Sequence, residues 1–216
     1  EGAYAGIGIQ ISANYETLLC TVTRIFKGSP AQAAGLYKGD ILQWVDELPV
    51  DAYNLQEAVD IMRGTVGETV EVRVLRGEDS LTFTVPRAHV QVNRVEYALL
   101  EEGVGVVSVF EFAGDCRTAF EEAVSSLMAQ GARGLVIDLR DNPGGWVDDA
   151  VAMGDMFLPE VAVYYAEYRS GEREYAYAQA GSLDIPLAVL INENAASASE
   201  VLAGALQDHG AATVVG

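Results

Sequence analysis

Positive charge is scarce in this chain of 216 residues: 13 lysines and arginines stand against 32 aspartates and glutamates, a net charge of −19. The shortfall is uneven. Up to Ala88 there are 12 acidic and 7 basic residues, and after it 20 and 6. A surface of that sign repels phosphate backbones, so nucleic acid is excluded as an expected partner. It keeps a protein soluble, and it also attracts basic substrates. Long apolar runs are absent as well: no stretch has the roughly 20 apolar residues that a membrane helix requires. Glu1-Gly2-Ala3-Tyr4 shows neither the basic start nor the apolar run of a signal peptide, which leaves room for a targeting segment that was removed. Cysteine is limited to Cys20 and Cys116, without the Cys-x-x-Cys spacing that suits a metal. Cys20 lies in an apolar strand pattern and reads as a buried thiol, whereas Cys116 opens a helix and reads as accessible. A bridge between the two stays open.

What is present is a chain that is 50% hydrophobic, enough for two modest cores. Its first part is rich in strand patterns. Ile7, Ile9 and Ile11 alternate with Gly8 and Gln10, Leu18 to Phe26 is a second strand run, and Asp40 to Val45 a third. Ser29 to Leu36 reads as one helical turn, with Ser29 as cap, Pro30 at the first position and Gly35 as stop. Asn54 to Gly64 reads as a capped amphipathic helix with Leu55, Ala58, Val59 and Met62 on one face. Strands over Thr69 to Leu75 and Leu81 to Val85 flank a turn at Arg76-Gly77-Glu78-Asp79. Pro86 to Leu100 reads as a crossover, which gives domains 1–88 and 89–216. Beyond it, strands at Gly105 to Phe110, Gly134 to Leu139, Leu187 to Ile191 and Ala212 to Val215 alternate with helices at Asp115 to Gln130, Val147 to Phe157 and Ser197 to Asp208. Val161 to Tyr168 pairs with Glu172 to Tyr177. This alternation implies α/β layers with a largely parallel sheet. The continuous apolar run from Gly134 reads as a strand buried on both faces.

Three segments carry chemistry. The glycines of Tyr4-Ala5-Gly6-Ile7-Gly8-Ile9 let backbone N–H groups turn towards an anion, although the same residues serve the ordinary start of a strand. Leu139-Arg140-Asp141-Asn142-Pro143-Gly144-Gly145 ends an apolar strand before a helix. Its glycines either present N–H donors, as an oxyanion hole does, or make a tight turn. Ser197-Ala198-Ser199-Glu200 opens a helix. A serine there is commonly a cap, yet the free N–H groups and dipole of a helix start also stabilise charge beside a nucleophile. Both serines cannot cap, so one is left for chemistry.

Lys27-Gly28-Ser29-Pro30-Ala31-Gln32-Ala33-Ala34-Gly35-Leu36-Tyr37-Lys38-Gly39-Asp40-Ile41-Leu42 closely resembles a run of bacterial PDZ domains, over about Gly6 to Arg87. The resemblance implies that Gly6, Ile7, Gly8 and Ile9 receive a peptide's C-terminal carboxylate. The peptide then adds as a strand beside Ile9-Gln10-Ile11, against Leu55, Val59 and Met62. Taken with the Pro-Gly-Gly loop and the Ser-Ala-Ser-Glu helix, the chain resembles the C-terminal processing peptidases, also called tail-specific proteases, over its whole length. That implies a β-rich α+β PDZ domain followed by an α/β protease core of crotonase/Clp-like layering. It implies a serine endopeptidase that recognises protein or peptide substrates by unstructured C-termini, needs no cofactor and no metal, and works in the cell envelope; a homo-oligomer is left open. Ser197 would be the nucleophile, Ala198 one oxyanion donor, Gly144 or Gly145 the other, and Glu200 an acidic neighbour. The family's general base is a lysine in a segment beyond the strand that ends here at Gly216, and the chain's two lysines, Lys27 and Lys38, lie in its first part. His209 is twelve residues from Ser197, about 18 Å along a helix, and His89 lies in the crossover. The expectation is a piece of the enzyme that ends before its base and is inactive by itself. The alternative is a non-catalytic PDZ-containing peptide-binding scaffold or inactive relative. Acyl-thioester chemistry on a crotonase-like core is a third reading, which a peptide-reading domain argues against.

Overall fold

A computed structural model describes residues 3–179 and 182–216; Glu1 and Gly2, part of the signal-peptide reading, lie outside the described residues. The chain folds as two units that part between Asn93 and Arg94.

The first unit runs β1 (Ala3–Gly6), β2 (Ile9–Ala13), β3 (Cys20–Ile25), α1 (Pro30–Ala34), β4 (Ile41–Val45), β5 (Leu48–Pro49), α2 (Leu55–Met62), β6 (Thr69–Arg76), β7 (Asp79–Pro86) and β8 (Ala88–Gln91). Its main sheet has the order β2-β3-β4-β6-β7, with β5 on β4, and β2 forms an edge. Strand alternation decides the faces: in β6, Val70, Val72 and Val74 are buried while Thr69 and Glu71 are exposed. The valines join Cys20, Val22, Leu42 and Ala58 in one core. The turn α1 forms as expected. Ser29 Oγ accepts from Gln32 N–H at 3.2 Å, and Gly35 ends the helix at φ 90°.

The Gly-Asp pair after α1 also has a physical cause. Asp40 has a side chain 1% exposed and receives Arg76 Nε and Nη2, both at 2.7 Å, and the Tyr37 N–H at 2.9 Å. Burial pushes the Asp40 pKa up, but the bonds from Arg76 and Tyr37 and the Arg76 charge outweigh it and hold the carboxyl below its ordinary value.

Two expectations need correction here. Ile7 is not part of the strand, because the Ile7 carbonyl accepts from Ala31 N–H at 2.8 Å and the Gly8 carbonyl from Phe26 N–H at 3.0 Å, which turns the backbone towards α1. Pro86 to Leu100 is no mere crossover: β8 pairs antiparallel with β1, Gly6 opposite Ala88, and a further strand follows.

The second unit runs β9 (Val95–Leu99), β10 (Val104–Val109), α3 (Cys116–Ala129), β11 (Gly134–Asp138), α4 (Val147–Asp155), β12 (Ala162–Glu167), β13 (Arg173–Tyr177), β14 (Leu187–Leu190), α5 (Ala198–Asp208) and β15 (Thr213–Val215). Its sheet has the order β15-β14-β11-β10-β9. β10, β11, β14 and β15 are parallel, and β9 is antiparallel to β10. The helices cover an apolar core that includes Phe120, Leu127, Ile137, Met153 and Leu202. In β11, Leu135 and Ile137 are buried but Val136 is half-buried, so the strand is covered more fully on one face than on both. Cys116 is fully buried, against the expectation of an accessible thiol, because it shares the inward face of α3 with Phe120, Ala123 and Leu127. Burial, with the Asp149 charge added, pushes its thiol up to about 12. Both cysteines are free.

Replacing Asp40 by Asn removes the carboxylate from a guanidinium held in place, and should lower the stability of the first unit by about 2 kcal/mol at neutral pH. The folded pKa of Asp40 lies below its unfolded value. Its contribution is therefore complete above the unfolded value and is lost as pH falls through the folded one. Urea midpoints of wild type and Asp40→Asn should converge in strong acid, and equal midpoints at pH 7 would contradict this account.

Candidate active site

β11 and β14 are parallel neighbours, with Asp138 opposite Leu190, so their C-terminal ends lie side by side. Ligands of open α/β sheets bind at such ends. The loop after β11 (139–146) and the loop after β14 (191–197) are tied together there. Asp141 N–H donates to Asn192 Oδ1 at 2.8 Å, and Asp141 Oδ1 accepts from Asn192 Nδ2 and Asn194 Nδ2, both at 2.9 Å. The Ala196 N–H reaches the Asn142 carbonyl at 3.1 Å.

Ser197 is exposed and stands at the start of α5 with φ 55° and ψ −116°. An ordinary capping serine has an extended backbone. A non-glycine residue held at positive φ costs about 1–3 kcal/mol and persists only where its surroundings enforce it. Strained strand-to-helix turns of this kind lift a serine hydroxyl clear of the backbone in unrelated hydrolases. The Glu200 carboxylate accepts from the Ser197 N–H at 2.7 Å and so fixes the turn. Ser199 is fully buried and donates from Oγ to the Asn142 carbonyl at 3.0 Å. The two serines are thus distinguished: one is locked inside, the other faces out.

Gly144 lies against this turn. A Cβ on it would stand 2.6 Å from Ala196 O, 2.8 Å from Ser197 Cβ and 2.9 Å from Ala198 N, so no side chain fits. On the other side Gly145 abuts Phe112, whose carbonyl a Cβ would overlap. Phe112 N–H donates to Gly144 O at 2.9 Å and Trp146 N–H to Phe112 O at 2.7 Å, which pins the loop. The Gly144 N–H is already bonded to Asn142 Oδ1 at 2.9 Å. The Gly145 N–H has no acceptor among the described residues, and the Ala198 N–H, first in α5, has none within its helix.

The buried side chain of Asn142 holds these parts in register. Besides accepting from Gly144 it donates from Nδ2 to Val109 O at 2.8 Å, at the end of β10. The sequence shows Asn142 only as one letter of a turn, and its contacts with β10 and the serine turn appear once those segments meet. His209 sits at the far end of α5, with Nε2 2.8 Å from Ala162 O. Lys27 and Lys38 belong to the first unit.

The first unit has a separate groove of about 60 Å³, where Ile7, Ile9 and Ile11 face Val59, Met62 and Arg63 along the edge strand β2. Gly8 has φ 88°, and a Cβ there would overlap the Ser29 side chain. The N–H groups of Ile7 and Gly8 have no acceptor among the described residues. Gly6 is held in β1, and Leu55 packs half-buried against the core rather than lining the groove. Arg63, just past the end of α2, is a lining residue that helix periodicity does not reveal.

An antiparallel unit with a groove beside its edge strand, followed by a layered α/β unit with a strained serine, makes this a PDZ domain joined to a protease-type core. Residues 5–86 match the model of the PDZ domain and residues 103–216 that of peptidase family S41. The second match spans more than half of the chain, and the chain belongs to peptidase family S41. Over its full length it is 35% identical to a carboxyl-terminal-processing protease of Synechocystis sp., covering 52% of that protein. It is 36% identical to a carboxyl-terminal-processing protease of Picosynechococcus sp., covering 54%. The solved photosystem II D1 C-terminal processing protease superposes with a TM-score of 0.73 at 29% identity, over 99% of this chain and 60% of that one. The chain spans about half the length of the curated relatives it matches.

Asn142→Ala should leave the Val109 carbonyl and the Gly144 N–H without partners inside the protein. The expected loss is about 2–3 kcal/mol from the second unit, read as a lower urea midpoint; an unchanged midpoint would show that Asn142 does not hold the loop.

Proposed function

We propose that this chain contributes the nucleophile, the oxyanion donors and the substrate-capturing groove of a serine endopeptidase that processes proteins from their C-terminal tails. The observation that carries this reading is the strained, exposed Ser197 packed against Gly144. The Ser197 hydroxyl attacks a peptide carbonyl, and the oxyanion sits between the N–H groups of Ala198 and Gly145. Gly144 makes the close approach possible and Glu200 steadies the turn. The bond to the leaving amine breaks, and water then releases the acyl group from Ser197. The general base is a lysine outside these 216 residues, kept neutral by burial. Two observations support placing it there: the second unit has no lysine, and its one histidine stands at the opposite end of α5. Tail capture is the work of Gly6 to Ile9 with Val59 and Met62, through a carboxylate on the Ile7 and Gly8 N–H groups and a strand added to β2. Substrates are proteins or peptides with unstructured C-termini. A location in the cell envelope goes with this reading; no helix among the described residues is long and apolar enough to cross a membrane.

Cleavage assays should compare the 216 residues alone with a longer form that includes the segment following Gly216, on an unstructured polypeptide with an apolar tail. The short form should stay at background. The longer form should cleave, and Ser197→Ala should lower its rate at least about a thousandfold. A longer form that binds tails but never cleaves would favour the non-catalytic scaffold. Cleavage by the short form that is lost in Ser197→Ala would place the base within this chain.

A further inference from the structure

Two loops of the first unit present large apolar side chains to solvent at the far end of β2 from the carboxylate-binding glycines. Tyr15 is 66% exposed, Tyr53 76% and Leu18 40%. The tyrosine rings meet edge to face with centroids 5.9 Å apart. Scattered surface hydrophobes need no explanation, but a fixed aromatic pair at the end of a groove is a different matter.

Both loops are held rigid. Asn14 Oδ1 accepts from the N–H groups of Glu16 and Thr17 at 2.9 and 3.0 Å, and the Asn14 N–H donates to Leu19 O at 2.8 Å. Asp51 Oδ1 accepts from the Tyr53 N–H at 2.7 Å, and the Asp51 N–H donates to Asn54 Oδ1 at 2.9 Å. The Ala52 N–H donates to Leu18 O at 3.2 Å and joins one loop to the other. Leu18 is held at φ 60°, which a branched side chain adopts only under constraint. Such a surface loses little entropy when a ligand lands on it.

We propose that Tyr15, Tyr53 and Leu18 form a second subsite of the peptide groove, which takes an aromatic or branched apolar side chain four to six residues before the substrate's C-terminal residue. This rests on the tail-binding reading given above. A carboxylate bound at Gly8 puts the last peptide residue beside Ile9, so earlier residues run along β2 towards Ala13 in antiparallel pairing. Ile9, Ile11 and Ala13 share one face of β2, and pairing advances residue by residue. The residue four before the last lies opposite Ala13, and the next two reach the tyrosine pair. The occupant is therefore the upstream part of the same tail. The concave groove is lined along β2 as far as Ile11. Substrates would then be selected by two apolar points on one tail, the second separated from the terminus by a spacer that need only be extended.

The test uses the whole 216-residue chain and fluorescein-labelled eight-residue peptides with an apolar C-terminal residue. The upstream positions are all Ser, or carry one Phe placed four, five or six residues before the last. An amidated twin of each peptide reports on the carboxylate. One or more of the Phe peptides should bind about fivefold tighter than the Ser peptide. That advantage should disappear in Tyr53→Ala and in Tyr15→Ala, two exposed positions whose unfolding midpoints are followed in parallel. Carboxylate-dependent binding with no Phe advantage, or with one that survives both substitutions, would overturn the second subsite and leave the tail-binding reading standing. Equal binding of free and amidated peptides would overturn the tail-binding reading itself, and the subsite with it. A dimer in sedimentation that both substitutions abolish, with no effect of Phe, would assign the pair to self-association instead.

Discussion

The backbone at Gly144 lies so near Ser197 and Ala198 that a single added carbon would stand 2.6 Å from Ala196 O. Several contacts of the second unit converge on that approach. Parallel pairing of β11 with β14 brings two loop origins together, the amides of Asn192 and Asn194 clasp Asp141, and Asn142 ties the glycine loop to β10. Against this frame the strain at Ser197 makes sense. A serine at φ 55° is unfavourable by itself, and it is kept because its N–H is held by Glu200 while its neighbours pack against a loop that leaves no alternative. The outcome is an exposed serine beside a glycine loop, with the Gly145 and Ala198 N–H groups lacking an acceptor among the described residues, the kind of arrangement on which the proposed oxyanion site rests.

The first unit reuses some of this physics on a looser scale. At Gly8, as at Gly144, a positive φ and a side chain pressed close behind the residue leave the adjoining N–H groups unspent. Here they open onto an apolar groove and a sheet edge instead of a strained serine. A sheet edge with free backbone groups is a liability unless something short and extended is meant to add to it, and a peptide tail satisfies that condition. On the function proposed above, recognition would fall to a strand edge in the first unit and chemistry to a helix start in the second.

Much of this was legible in the sequence, for reasons that can be named. α1 follows from Ser29, Pro30 and Gly35, whose backbone preferences act within a few residues. The β6–β7 hairpin and the alternation of strands with helices after β10 follow from periodicity, and the motifs carried the family resemblance. What stayed hidden depends on partners distant in the chain. β1 pairs with β8 across more than eighty residues, and no local pattern in Ala88–Gln91 announces it. Cys116 looked accessible because a helix start is usually wet, whereas the α3 face that carries it is the one that packs inward. The sequence also left open which glycine N–H would face the serine. The structure bonds the Gly144 N–H to Asn142 Oδ1, whereas the Gly145 N–H has no acceptor among the described residues. A glycine pair offers both choices, and the buried Asn142 side chain is what the proposed donor assignment rests on.

The selection of donors is the claim on which the account turns, and amide hydrogen exchange followed residue by residue by NMR tests it most directly. Exchange reports whether an N–H is bonded within the native structure. The Gly144 amide should exchange slowly, bound to Asn142, while the Gly145 and Ala198 amides exchange quickly. A protected Gly145 beside a rapidly exchanging Gly144 would mean that the loop turns its other N–H to Ser197, and would contradict the site as described.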